Sequence, residues 1–111
     1  MQIKDLTPDF AATGQITAAD MPEIAARGVT LIVANRPDHE EPGQPTFAEI
    51  AEAARAHGIE AVHVPVTGVG AQSEADVAKE DAALAGAKGP VLAYCKAGGR
   101  AEAMWRATGR G

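Results

Sequence analysis

The stretch Pro90-Val91-Leu92-Ala93-Tyr94-Cys95-Lys96-Ala97-Gly98-Gly99-Arg100 holds the chain's one cysteine between a short apolar run and a glycine-rich turn closing on an arginine. Residues of these types, in this order, turn a thiol into a nucleophile. The apolar run reads as a buried strand that delivers Cys95 to the carboxyl edge of a sheet. Gly98 and Gly99 allow positive φ and close backbone approach, so successive N–H groups can point inward as an anion-binding nest. A helix starting near Arg100 adds its positive end. Amide donors, a helix N-terminus and nearby cations all favour thiolate over thiol. The implied chemistry is attack by Cys95 while Lys96, Ala97, Gly98, Gly99 and Arg100 hold an anion through their N–H groups, the Arg100 guanidinium neutralising its charge. A lone cysteine ending an apolar strand is in general more often a small buried hydrophobe. The glycines and arginine that follow reverse that reading.

Other residues carry weaker chemistry. Asn35 and Arg36 follow a second apolar run and are expected to line the wall opposite Cys95. For Arg36 the stronger reading is an ion pair with Asp38, Glu40 or Glu41 that holds its own loop. Asp38-His39-Glu40-Glu41 suggests a metal site only superficially, since adjacent positions on a proline-rich loop rarely converge on one ion, and no metal is expected. His63 reads as a hydrogen-bonded packing residue and His57 as a helix C-terminal cation. Met104 and Trp105 would pack the last helix onto the sheet.

The elements that position these residues alternate between helix and strand. Thr17 to Asp20 has capping-box spacing and opens a short helix to Arg27, stopped by Gly28. Val29 to Ala34 is a β-branched run of strand length, and Asn35 to Pro45 a charged, proline-rich loop. A second capping box, Thr46 to Glu49, starts a helix that ends at His57 and Gly58. Ile59 to Val66 is the next strand and Thr67 to Gln72 a flexible loop. Ser73 to Asp76 caps a helix to about Ala85. Pro90 to Cys95 is the last strand, and a helix runs from about Arg100 to Thr108. A further short strand is predicted around Asp9 to Gly14. Strands separated by helices imply parallel neighbours, hence a three-layer α/β fold with a small, mostly parallel sheet. The loops 35–45, 67–72 and 95–100 then meet beyond the strands' carboxyl ends, where such sheets bind ligands.

At 111 residues there is room for one domain, spanning 1–111, with one modest core. Apolar residues are 46% of the chain but aromatics only 4%, so alanine-faced helices should lie close on the sheet. A net charge of −5 argues against nucleic acid or an anionic membrane as partner. No apolar run approaches membrane-spanning length, and the first residues lack the pattern of a signal peptide. A single cysteine makes no internal disulfide, and a free thiol suits the cytoplasm.

Taken together, Thr13-Gly14-Gln15-Ile16, Asn35-Arg36-Pro37-Asp38, Glu40-Glu41-Pro42-Gly43-Gln44-Pro45, His63-Val64-Pro65-Val66 and the cysteine turn resemble the phosphatase-like domain of the β-lactamase-hydrolase-like family. Members of that family are often described as sulfur transferases. The resemblance spans nearly the whole chain and implies a compact version of the tyrosine-phosphatase fold. It also implies persulfide-handling or metallo-hydrolase proteins as partners. Lys96, Ala97, Gly99 and Ala101 depart from the family's usual turn.

Four residues separate Cys95 from Arg100, as in rhodanese-type sulfurtransferases, whereas tyrosine phosphatases normally have five. The tighter ring better fits a persulfide or a small sulfur oxyanion than a phosphate. Phosphoester cleavage also needs a general acid, typically worth 10²–10⁴-fold in rate. In the tyrosine-phosphatase fold this is an aspartate on the loop matching 67–72, where this chain has no carboxylate. Ala101 likewise lacks the hydroxyl that phosphatases place after the arginine. The favoured expectation is sulfur transfer through a Cys95 persulfide, from a small anionic or sulfane-sulfur substrate to a thiol acceptor, without cofactor. Phosphatase-type hydrolysis through a phosphocysteine is the alternative, and a non-catalytic redox-sensing or binding module the third reading.

Overall fold

The computed structural model describes residues 1–110. Five strands, β1 (Ile3–Thr7), β2 (Phe10–Thr13), β3 (Leu31–Ala34), β4 (Glu60–His63) and β5 (Val91–Tyr94), form one sheet in the order β1-β2-β5-β3-β4. Strands β2, β5, β3 and β4 are parallel, and β1 adds an antiparallel edge to β2. The mostly parallel sheet is as expected; β1 is an addition. It is half polar and lacks regular alternation, and its order comes from pairing with β2 rather than from its own pattern.

Helices α1 (Met21–Ala26), α2 (Phe47–Ala56), α3 (Glu74–Ala85) and α4 (Gly99–Ala107) cover both faces, giving three layers. Every residue of β2, β3 and β5 is buried, which is why these strands read as continuous apolar runs. Alternate residues feed two cores. Ala11, Ile32, Leu92 and Tyr94 meet Ile16, Met21, Ile24, Ile50 and Ala54 on the α1/α2 side. Phe10, Leu31, Val33, Val91, Ala93 and Cys95 meet Val64, Met104 and Trp105 on the α3/α4 side.

The capping residues act largely as their spacing implied. Ser73 and Asp76 bond reciprocally at the start of α3, and the Thr46 hydroxyl accepts the Glu49 N–H at the start of α2. Thr17 and Asp20 also form a capping box, but what it opens is a 3₁₀ turn, Ala18–Asp20, leading into α1. Gly28 and Gly58 end their helices at positive φ. None of the described helices is long and apolar enough to cross a membrane.

Candidate active site

β5 is the central strand, so Cys95, directly after it, emerges in the middle of the sheet's carboxyl edge. Its N–H donates to the Thr13 carbonyl at 3.3 Å, which carries the β2–β5 ladder one residue further. Gly98 then takes φ 99°, a conformation that favours glycine, and turns the chain into α4. The Gly98 N–H donates to the Cys95 sulfur at 3.0 Å. Among the described residues, the N–H groups of Lys96, Ala97, Gly99 and Arg100 have no acceptor within the protein. They are the free donors of the turn and of the first turn of α4.

Residues 13–15 hold this turn from behind. The Gln15 N–H donates to the Lys96 carbonyl at 3.2 Å. A Cβ on Gly14 would stand 2.9 Å from that same oxygen, so only glycine allows the two backbones to approach this closely. In the sequence this segment stands out by resemblance alone, and its supporting role was missed.

Cys95 is 1% exposed, on the floor of a crevice of about 320 Å³ lined by Thr67, Gly68, Val69, Lys96, Ala97, Gly99 and Arg100. Burial of the sulfur departs from a thiol facing open solvent, yet its surroundings are polar as well as aliphatic. The Cys95 sulfur also lies near enough to raise the pKa of Arg100, after the larger effect of Glu40. A larger cavity of about 530 Å³ lies at the opposite, amino end of the sheet, beside Phe10, Val91 and Trp105, and is not lined by Cys95.

Arg100 is not a free cation. Its guanidinium forks onto Glu40 with bonds of 2.8 and 2.9 Å and donates a third bond to the Val66 carbonyl at 2.8 Å. Glu40 also accepts from Arg36 Nε at 2.8 Å, and Arg36 bonds Glu41 and the Gln15 side chain besides. The Lys96 ammonium sits 3.4 Å from Glu41. Bonding from Arg100, and then from Arg36, overcomes partial burial and brings the Glu40 carboxyl down to about 2. Glu41 is lowered as well, by Arg36 first and then Lys96. Burial would depress Arg36, but its bonds to Glu40 and Glu41 hold it above its ordinary value.

Cys95, Lys96, Ala97, Gly98, Gly99 and Arg100 are therefore brought together as their spacing required, with Gly98 serving the sulfur rather than an incoming anion. Asn35 and Arg36 do not line the crevice. Arg36, 4% exposed, holds the 35–45 loop through its two glutamates, the stronger of its two sequence readings. Asn35 is wholly buried, and its amide donates to the Val64 carbonyl at 2.9 Å and to Glu80 at 2.8 Å. The wall it was expected to form is made by Thr67, Gly68 and Val69 instead. Asp38, Glu40 and Glu41 are spent on the Phe47 N–H and the two arginines, and no cluster able to hold a metal occurs among the described residues. His63 stacks on Phe47 at 4.7 Å and bonds the Arg36 carbonyl.

The chain is similar to several known proteins. A β-lactamase hydrolase-like protein of Agrobacterium fabrum is 41% identical over 92 residues, covering 83% of this chain and 21% of its own length. Another, from Xylella fastidiosa, is 39% identical over 105 residues, or 95% of this chain and 24% of its own length. This chain thus spans about a fifth to a quarter of those proteins. A crystallised candidate phosphatase of Neisseria meningitidis superposes with a TM-score of 0.84 at 37% identity, over 95% of this chain and 74% of that one. Similar structures with tyrosine-phosphatase-like folds establish the fold class. The family described as "Beta-lactamase hydrolase-like protein, phosphatase-like domain" matches residues 2–110, and the chain belongs to it.

Proposed function

We propose that this domain is a thiol-dependent sulfurtransferase. The Cys95 thiolate attacks the outer sulfur of a sulfane donor such as thiosulfate or glutathione persulfide. A new S–S bond forms while the donor's bond to that sulfur breaks, its electron pair leaving with sulfite or the donor thiolate. An acceptor thiolate then attacks the outer sulfur of the Cys95 persulfide and restores the Cys95 thiolate. Neither leaving group needs a strong acid, and no cofactor enters.

The observation that carries this reading is the lack of a proton donor where phosphoester cleavage would need one. The wall at Thr67, Gly68 and Val69 offers no carboxyl group. Glu40, which does reach the site's arginine, is held ionised by Arg100 and Arg36. Charge supports the same choice. Arg36, Lys96 and Arg100 already face Glu40 and Glu41, so a phosphate dianion would compete with Glu40 for the guanidinium. A singly charged persulfide donor competes less than phosphate, and less than thiosulfate, which is itself a dianion. A cytoplasmic setting, which keeps the lone thiol reduced, fits this chemistry. Because the relatives are about four times as long, persulfide-handling or metallo-hydrolase modules are the partners we propose for the sulfur.

The second reading is phosphatase-type hydrolysis through a Cys95 phosphocysteine. It is favoured by the name of the Neisseria relative, a candidate phosphatase. The decisive measurement is the mass of the protein after exposure to thiosulfate, with thiol-dependent release of the sulfur assayed beside aryl-phosphate hydrolysis. One added sulfur, absent from Cys95→Ser, is the expected result. Brisk phosphate release that disappears in Cys95→Ser, with no sulfur bound, establishes the phosphatase instead.

A further inference from the structure

The only fully buried side chain of α3 is a carboxylic acid, Glu80. It lies on the stripe shared by Val77 and Leu84, where the helix spacing calls for an apolar residue. A buried carboxylate is costly unless paired with a cation, and among the described residues no cation bonds Glu80. Its one hydrogen bond comes from the Asn35 amide, at 2.8 Å to Oε1. Among the described residues two buried atoms here find no partner, Glu80 Oε2 and Asn35 Oδ1.

One proton answers both. A carboxylic acid beside a primary amide can close a ring of two hydrogen bonds, amide N–H to acid C=O and acid O–H to amide C=O. The first bond is present. The unpartnered atoms are the acid oxygen that becomes a donor on protonation and the amide oxygen that needs one. Desolvation acts in the same direction, pushing the Glu80 carboxyl up to about 7 against the opposing bond from Asn35 and the more distant charge of Arg110.

The pair leads directly to the active site. The second Asn35 amide proton goes to the Val64 carbonyl, and the Asn35 backbone carbonyl accepts the Val66 N–H at 3.0 Å. The Val66 carbonyl in turn receives Arg100. We propose that Glu80, held as a neutral acid in a two-point pair with Asn35, is a positioning residue that fixes residues 64–66 beneath Arg100, so that ionising Glu80 slackens the site. Around Glu80, Asn35 comes from the end of β3, Val64 from the chain after β4, and Arg110 from beyond α4. Arg110 is ion-paired with Asp81, and on α3 itself Lys79 reaches away to the His63 carbonyl. The inference rests on the arrangement of the site and not on which group Cys95 transfers.

Glu80→Gln separates the proton from the shape, because a glutamine forms the same two-point pair with Asn35 and does not titrate. Alkylation of Cys95 by iodoacetamide, followed from pH 5.5 to 8.5 in the native protein, is the functional readout. Expected are equal rates for Glu80→Gln and the parent at the acid end, and a severalfold advantage for Glu80→Gln above pH 7. Glu80→Leu should be slow throughout. A protonated-carboxyl stretch in the infrared spectrum at pH 5.5, absent from Glu80→Gln, is the independent readout. Parallel pH profiles for parent and Glu80→Gln overturn the proposal, as does a Glu80→Gln variant slow at every pH or a spectrum without that band. Should Glu80→Leu fail to fold, the comparison of parent with Glu80→Gln still decides.

Discussion

Glu40 joins the two arginines of the site, and its removal should affect both stability and anion affinity. In Glu40→Gln the fork on Arg100 loses its charge, and Arg36, nearly buried, keeps only Glu41 and Gln15. Half-exposed and buried ion pairs bracket the cost at about 1–3 kcal/mol, read from urea denaturation. The freed guanidinium should also bind oxyanions more tightly. Protection of Cys95 from alkylation by inorganic phosphate is expected to strengthen severalfold. Unchanged protection would mean that Glu40 orients Arg100 without competing for it. At this scale the grouping of Cys95, the glycine turn and Arg100 was legible because these residues are contiguous in sequence. Glu40 reaches Arg100 across 60 positions, and no local pattern encodes that meeting. Asn35 was misplaced for an avoidable reason. By strand alternation it shares a side with Val33, the α3/α4 side, and Glu80 falls on the apolar stripe of α3. A buried amide facing a buried acid could have been read from those two parities.

α4 shows how an element delivers chemistry. Its N-terminal turn supplies free N–H groups to the crevice, while its buried face carries Ala101, Met104 and Trp105 into the core. Trp105 stacks on Phe10 of β2 with centroids 5.4 Å apart and planes 18° apart. The indole therefore anchors the helix to the strand that also receives the Cys95 N–H. Trp105→Ala should cost about 3–5 kcal/mol of stability. If the anchor also sets the height of the helix N-terminus, Cys95 alkylation should slow in the fraction that remains folded. Normal alkylation in a destabilised but folded variant would separate anchoring from activation. Helices and inner strands were legible because capping residues, glycine stops and β-branched runs are local signals. β1 was not, because an edge strand paired on one side needs no continuous apolar run, and its partner β2 is only four residues long.

For the whole molecule, two sets of carboxyl groups pull the pH dependence of stability in opposite directions. Glu40, at about 2, and Glu41 and Glu102, also lowered, are held below the ordinary 4.5 by cationic partners. Groups with depressed folded-state values stabilise the fold above 4.5, and that contribution is lost as the pH falls toward 2. Glu80 is the reverse case. Its folded-state value, about 7, lies above 4.5, so its contribution is complete below 4.5 and is lost as the pH rises through 7. The interval from 4.5 to 7 corresponds to a loss on the order of 3 kcal/mol, at 1.36 kcal/mol per unit. Net charge adds to the same trend, since repulsion within a chain of net charge −5 at pH 7 relaxes toward its pI near 5.1. Stability should therefore peak near pH 5 and fall on both sides, which urea midpoints from pH 2.5 to 8 will show. In Glu80→Gln the acid limb should persist while the loss between pH 5 and 7 shrinks to what net charge alone supplies. An unaltered neutral limb in that variant would mean that Glu80 is already ionised at pH 5 in the folded protein.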